Sequence, residues 1–330
     1  MNLNIVKIVI VCFFLGLADA ACSDFPSVFD GSWYDSQYHE ENTKGMITFS
    51  QSQKRITTGW YINCFGFTMN SFSCVLSSSG LLVFQSTSPV NLFGVNYYFV
   101  VCIAITKQTP YSYMYYRRGA LNEESCRLTV VPFGETLSTS TSTYCTGTAN
   151  TEDFGILVQD GHYGDVAITS PNPFLGVSKY SFTIDDKTFK CPNTSLMDGC
   201  TDKTVVKLNT TLCNEVLLDA NNRQFYAVAY AVSGSTYYIA MMHNNTAATT
   251  THRSTCVVAT ISGYNVTAST DPGSCKVGQN ATSRTSNAAS VLIKMKAYDS
   301  SASKTRSMAF FSLTFIVPAV LVCIIKQFLL

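Results

Sequence analysis

Residues 225–242 read FYAVAYAVSGSTYYIAMM, two runs in which aromatic, β-branched and small apolar residues alternate on either side of Ser-Gly-Ser. A period of two sends successive side chains to opposite faces of an extended strand. The same texture recurs at 46–50, 81–85 and 97–106, and Gly, Asn, Ser or Pro interrupts it every eight to twelve residues. This is the pattern of an all-β barrel or sandwich. Between Cys22 and Ser300 no helical periodicity is sustained.

Laid side by side, the two halves repeat. Residues 97–104 (YYFVVCIA) fall opposite 225–232 (FYAVAYAV), and 109–114 opposite 236–241. Cys126-Arg127-Leu128 falls opposite Cys256-Val257-Val258, and both Cys126 to Cys145 and Cys256 to Cys275 span 19 positions. Upstream, Phe29-Asp30-Gly31 echoes Phe174-Leu175-Gly176. The expectation is two tandem, disulfide-bonded, antiparallel β-barrel or β-sandwich domains, at 21–145 and 153–275, joined by a linker at 146–152. A Ser/Thr-containing stalk is expected over 276–307.

The two ends point to a compartment. Residues 1–20 read as a secretory signal peptide, with Lys7 as the basic region, 8–17 as the apolar stretch and Ala18-Asp19-Ala20 as the cleavage site. Residues 308–325, MAFFSLTFIVPAVLVCII, are uncharged and long enough as a helix to reach about 27 Å, barely a bilayer. Two readings of this membrane segment stand side by side. One is a transmembrane helix with Lys326 on the cytoplasmic side; the other is a glycolipid-anchor signal using the small residues Ser300-Ser301-Ala302. Both place the protein in the secretory pathway and tether it at the outer face of the cell.

Of 13 cysteines, Cys12 and Cys323 lie in the apolar ends. The remaining eleven are Cys22, Cys64, Cys74, Cys102, Cys126, Cys145, Cys191, Cys200, Cys213, Cys256 and Cys275. They form no C-x-x-C pair and have no histidine at zinc-site spacing, so disulfides are expected and neither a metal nor another cofactor is. With six in the first domain and five in the second, one is left over, and spacing alone does not fix the connectivity. Five glycosylation sequons, at Asn193, Asn209, Asn244, Asn265 and Asn280, all lie in the second half.

Lys and Arg number 22 against 21 Asp and Glu, a net charge of +1, which excludes the basic field that nucleic-acid binding requires. The hydrophobic fraction of 46% excludes a disordered chain.

The segment Gly31-Ser32-Trp33-Tyr34 resembles the G-x-W-Y opening strand of lipocalins, with Thr109-Pro110-Tyr111 where that family has T-D-Y and Arg127 where it has a late arginine. The resemblance implies a barrel end closed by Trp33, close approach at Gly31, and Arg127 stacked across the indole. It also implies an apolar ligand inside. Pro110 replaces the family's Asp, and the second domain has Ser178 in place of the Trp. A second resemblance covers more of the chain. Cys22-Ser23-Asp24-Phe25-Pro26 through Trp33-Tyr34-Asp35, and Lys190-Cys191-Pro192-Asn193 with Gly199-Cys200-Thr201-Asp202 and Thr211-Leu212-Cys213, are similar to uncharacterised secreted and membrane-tethered invertebrate proteins built of domains of unknown function. That group implies the domain plan and carries no activity.

Catalytic constellations are weak. There is no G-x-S-x-G elbow, H-E-x-x-H helix or phosphate loop. Of the four histidines, His39 sits beside Glu40-Glu41 in a loop-like stretch, and His243 and His252 flank the Asn244 sequon, again loop-like. Tyr111, Tyr113, Tyr115 and Tyr116, ahead of Arg117-Arg118, read either as a strand turning its aromatic side inward or as a recognition surface. The expectation is a non-enzymatic cell-surface glycoprotein whose ectodomain recognises or adheres to an extracellular protein or glycan. The alternative is a carrier of a small apolar ligand in a barrel interior.

Overall fold

The computed structural model describes residues 22–298 apart from 38–44, 61, 65–66, 120–126, 169–178, 186–189, 210, 214–223, 244–252 and 288. The signal peptide, the 308–325 segment, His39, His252, Cys126, Asn244 and Ser178 lie outside the described residues. Among the described residues no helix is long and apolar enough to cross a membrane.

In chain order the first half contains Gly31–Asp35 (β1), Met46–Ser50 (β2), Arg55–Thr58 (β3), Ile62–Cys64 (β4), Phe67–Met69 (β5), Phe72–Ser78 (β6), Leu81–Ser86 (β7), Val90–Leu92 (β8), Val95–Thr109 (β9), Ser112–Arg117 (β10), Leu128–Pro132 (β11) and Gly155–Gln159 (β12). The second half contains Lys179–Asp185 (β13), Lys190–Asp198 (β14), Val206–Asn209 (β15), Gln224–Ser233 (β16), Thr236–His243 (β17), Ser254–Ser262 (β18), Asn265–Pro272 (β19) and Leu292–Tyr298 (β20). Among the described residues, a 3-10 turn at Thr141–Thr143 interrupts the β-structure.

These strands close into two eight-stranded antiparallel barrels. The first ring runs β1-β2-β3-β6-β7-β9-β10-β12 and returns to β1, while β8 and β11 pair with the N-terminal half of β9. The second ring follows chain order from β13 to β20 and closes through Lys179↔Tyr298. Closure removes the exposed edges that an open sheet would present.

Alternation explains why each strand belongs where it does. In the second barrel Phe225 and Ala227 of β16, Ile239 and Met241 of β17, Val257 and Ala259 of β18, and Ile293 and Met295 of β20 all join one buried core. A β-bulge between Ala227 and Ala229 shifts the phase of β16, so that Tyr230 packs against the same core. Residues of the opposite parity on β18, Cys256 and Val258, are buried as well. The segment after β19 lies over them: Cys275 is bonded to Cys256, and the Gln279 side-chain amide donates to the Cys256 carbonyl (3.2 Å). Lys276 Nζ (2.8 Å) and the Thr285 hydroxyl (2.7 Å) both hold the buried Asp271 carboxylate.

The first barrel is built the same way. Cys102, on the sixth strand of its ring, is bonded to Cys145 in the connection between the seventh and eighth strands. Cys256 and Cys275 occupy the corresponding places in the second ring. The equal 19-residue interval therefore does not mark equivalent bridges, because Cys145 pairs with Cys102 across 43 positions. Cys22–Cys74 and Cys191–Cys213 are also closed, and Cys200 is disulfide-bonded.

Two sequence boundaries need correction. β12 pairs within the first ring although it lies beyond 153. Residues 276–307 are not a stalk throughout, since Gln279, Ala281, Ser290 and Val291 are buried and β20 completes the second barrel. Grouped by compactness, one unit holds 22–34, 45–106 and 115–149, and the other holds 35–37, 107–114 and 150–298.

Candidate recognition surface

A lipocalin-like carrier needs room inside, and among the described residues the second barrel offers little. Its cavity measures about 30 Å³ and is lined by Phe182, Met197, Phe225, Met241 and Met295, with Thr270 as the one polar lining residue. Ligand pockets are typically ~300–1,000 Å³. Aromatic rings fill the first barrel. Phe29 stacks on Phe49 at 4.4 Å, Phe25 meets Phe29 edge-on at 5.6 Å, and Trp60 packs against Phe72 and Phe84 at 4.8 and 5.6 Å.

Trp33 is fully buried, edge-on to Phe29 at 5.0 Å and perpendicular to Phe49 at 6.3 Å. Arg127 is buried too, with a left-handed φ of 51°, and its Nη1 donates to the Arg117 carbonyl (3.3 Å). Gly31 is exposed, and a Cβ there would meet nothing within 4 Å. The expected close approach at Gly31 is thus absent, and what the position asks for is a φ of 80°. Close approach occurs instead at Gly119, where a Cβ would come within 2.3 Å of the Arg127 carbonyl oxygen.

The tyrosines do not form a surface. Tyr113 and Tyr115 are buried, Tyr116 is half-buried, and Tyr111 stacks on His162 at 3.7 Å with nearly parallel rings. His162 Nδ1 in turn lies 3.0 Å from an Asp165 carboxylate oxygen. Burial pushes the Tyr113 and Tyr116 phenols up. His243 is not in a loop; it ends β17 and is buried. Asn193, Asn209, Asn265 and Asn280 are all exposed, as glycan acceptors must be. Among the described residues no three His, Cys, Asp or Glu gather where a metal could be held.

At the end of β14, burial pushes the Asp198 carboxyl up, but hydrogen bonds outweigh it. The Thr201 N–H (2.9 Å) and hydroxyl (2.7 Å), Lys179 Nζ (2.9 Å) and the Cys200 N–H (3.0 Å) hold its pKa at about 2, below the ordinary 3.8. A carboxyl depressed in the folded state stabilises fully above its unfolded pKa, and that contribution is lost as pH falls from about 4 towards 2. Asp198→Asn is expected to lower stability at pH 7 by on the order of 1 kcal/mol, since the group is partly exposed and screened. Its unfolding midpoint should then fall less steeply than wild type between pH 4 and 2. Parallel acid limbs for the two proteins would contradict this.

What sequence reading missed is the end of the first barrel where β8, β9 and β11 finish together. Register places Leu92 opposite Val95, Asn91 opposite Asn96 and Pro132 opposite Tyr97. The Phe133 N–H donates to the Asn96 carbonyl (2.8 Å). Phe93, in the β8–β9 turn, is fully exposed; Phe133 is 58% and Val95 48% exposed. Both phenylalanines precede a glycine of positive φ, Gly94 and Gly134. The available signal was Phe-Gly between two short apolar runs, where hairpin turns ordinarily carry Asn-Gly or Asp-Gly.

In comparison with known families, residues 168–290 match a domain of unknown function, DUF7042. The match begins ahead of β13 and ends just short of β20, so it covers seven of the eight strands of the second ring. No curated protein matches the chain, and no solved structure does. The architecture defines a tandem pair of eight-stranded disulfide-bonded barrels, the second carrying a domain of unknown function. Bridges such as Cys22–Cys74, Cys102–Cys145, Cys191–Cys213 and Cys256–Cys275 are consistent with an extracellular or secreted protein.

Proposed function

We propose that the chain is a non-enzymatic recognition or adhesion glycoprotein, held at the outer face of a membrane through 308–325 and acting through the outside of its barrels. The observation that carries this reading is the fully exposed Phe93, at the same barrel end as the exposed Phe133 and Val95, on a barrel whose interior is packed with rings. Large apolar side chains left exposed together at one end of a fold mark candidate interaction sites. All five sequons lie at or beyond Asn193, so glycans would decorate the second barrel and leave the first open to contact. The carrier reading draws support from the closed eight-stranded barrel, an architecture lipocalins share, and from the apolar lining of the cavity. A space of about 30 Å³ weighs against it.

Two measurements on the full chain separate these functions. Cells displaying it should adhere to one another, or to unmodified cells, well above mock-transfected controls. Native mass spectrometry of the purified chain should show glycosylated polypeptide without a bound small molecule. A stoichiometric apolar adduct with no gain in adhesion would establish the carrier instead.

A further inference from the structure

We propose that the Phe93/Phe133 end of the first barrel is a lipid-inserting tip that enters the outer leaflet of an uncharged bilayer. This deepens the recognition reading and rests on it, because it names the surface recognised.

The backbone provides the first argument. Phe93 has φ 52° and Gly94 φ 85°, so both central residues of a two-residue hairpin loop are left-handed, as a type I′ turn demands. Asn, Asp or Gly adopts that conformation readily, whereas a bulky aromatic does so against steric resistance. The position thus bears both an unfavourable backbone conformation and an unburied ring, and neither contributes to folding. Strain and exposure concentrated in one side chain point to a contact made outside the chain.

The chemistry of the tip selects the occupant. From Val90 to Tyr98 there is no charged side chain, and the turn after Phe133 carries one exposed anion, Glu135, and no cation. The apolar residues Leu92, Phe93 and Val95 lead, followed by Asn91 and Asn96, whose side-chain amides bond to each other at 3.0 Å. Behind these come Tyr97 and Tyr98, and Phe133, bonded through its N–H to Asn96 and with its ring 5.6 Å from Tyr98, adds an apolar ring at the level of the amides and phenols. At about 3.3 Å per residue, Tyr97 stands roughly 10–13 Å behind the turn. An apolar front followed at that depth by amides and phenols matches the change from acyl chains to headgroups, where tyrosine is favoured. Interfacial segments bury their apolar face by about 5–10 Å. Phe93 also stands fully exposed at a hairpin turn. A protein partner would need a preformed pocket for it, and Leu and Val are under-represented among protein hot spots. A fluid hydrocarbon layer conforms to the ring without one. The absence of cations predicts binding to phosphatidylcholine that does not weaken with salt.

Tryptophan fluorescence tests this in the full chain reconstituted into phosphatidylcholine vesicles. The two native tryptophans, Trp33 and Trp60, are buried in the barrel and give a background that lipid does not reach. Phe93→Trp and Phe133→Trp are each expected to emit at shorter wavelength on vesicles and to lose most of the added fluorescence to dibrominated phosphatidylcholine, equally at low and high salt. Tyr264→Trp, exposed in the β18–β19 turn of the second barrel, should show neither change. Phe133 has an ordinary φ, so its variant reports even if Phe93→Trp folds poorly. Emission that stays at the wavelength of an indole in water overturns the proposal. A shift without bromolipid quenching also overturns it, because the ring is then buried against protein, such as a second copy. Flotation of the same vesicles separates the two levels. A chain that floats without quenching keeps the tether and loses the tip, while a wild-type chain that does not float loses both.

Discussion

Trp33→Ala is expected to unfold the first barrel while the second keeps its structure. Removing a buried Trp costs about 3–5 kcal/mol through lost burial and the cavity left behind, which is a large share of the roughly 5–15 kcal/mol that holds a domain together. Here the space cannot collapse easily, because Phe29 and Phe49, which flank the indole, are already stacked on each other. Hydrogen exchange on the full chain should show lost protection in β1, β2 and β3 and unchanged protection from β16 to β19. Arg127→Ala should cost less, about 1–2 kcal/mol, since packing along the side chain is lost without a large cavity. If Trp33→Ala leaves exchange in the first barrel unaltered, the indole does not support that core.

Cys145→Ser has the next largest expected effect. Its bridge to Cys102 closes 43 positions, and loops of that size contribute about 4 kcal/mol by restricting the unfolded chain. Cys275→Ser opens a 19-position loop and should cost about 3 kcal/mol. Both variants also leave a partner thiol in a site with no exposure, Cys102 or Cys256. Secretion of folded protein should therefore fall more for Cys145→Ser than for Cys275→Ser, with one extra alkylatable thiol after unfolding in each case. Equal secretion of both variants and wild type would mean that the bridges add little.

The barrel plan was legible because inward and outward positions alternate without ambiguity in strands such as β16 and β17. The alignment of the halves was not. The Tyr97–Ala104 stretch of β9 resembles β16, yet β9 is the sixth strand of its ring and β16 the fourth of the other. A slip of two strands in an up-and-down barrel preserves both strand direction and alternation, so side-chain pattern cannot detect it. Cysteine places do detect it, because only the pairing of β9 with β18 brings Cys102–Cys145 and Cys256–Cys275 into correspondence. β20, LIKMKAY, has Ile293 and Met295 inward and Lys294 and Lys296 outward, a clear period of two. The polar run from Lys276 to Ser290 masked it: those residues look solvated, but Gln279 and Ser290 are buried through hydrogen bonds that composition does not reveal. Phe93 was hidden for the opposite reason. An aromatic between two apolar runs reads as core, and only the turn geometry turns it outward.

The ring from β13 to β20 has a consequence for how the domain is made. Its seam joins Lys179 to Tyr298, the first strand synthesised to the last. A fragment ending at residue 290 would hold seven strands with two raw edges, at β13 and β19, and such edges recruit other chains. The nascent protein passes through that same unsealed state on the ribosome. Cys191–Cys213 and Cys256–Cys275 span only 22 and 19 positions, so each can form before β20 emerges. Oxidation can thus set the register of the early hairpins while the seam is still open, and the final strand then docks into a gap whose two sides are already in place.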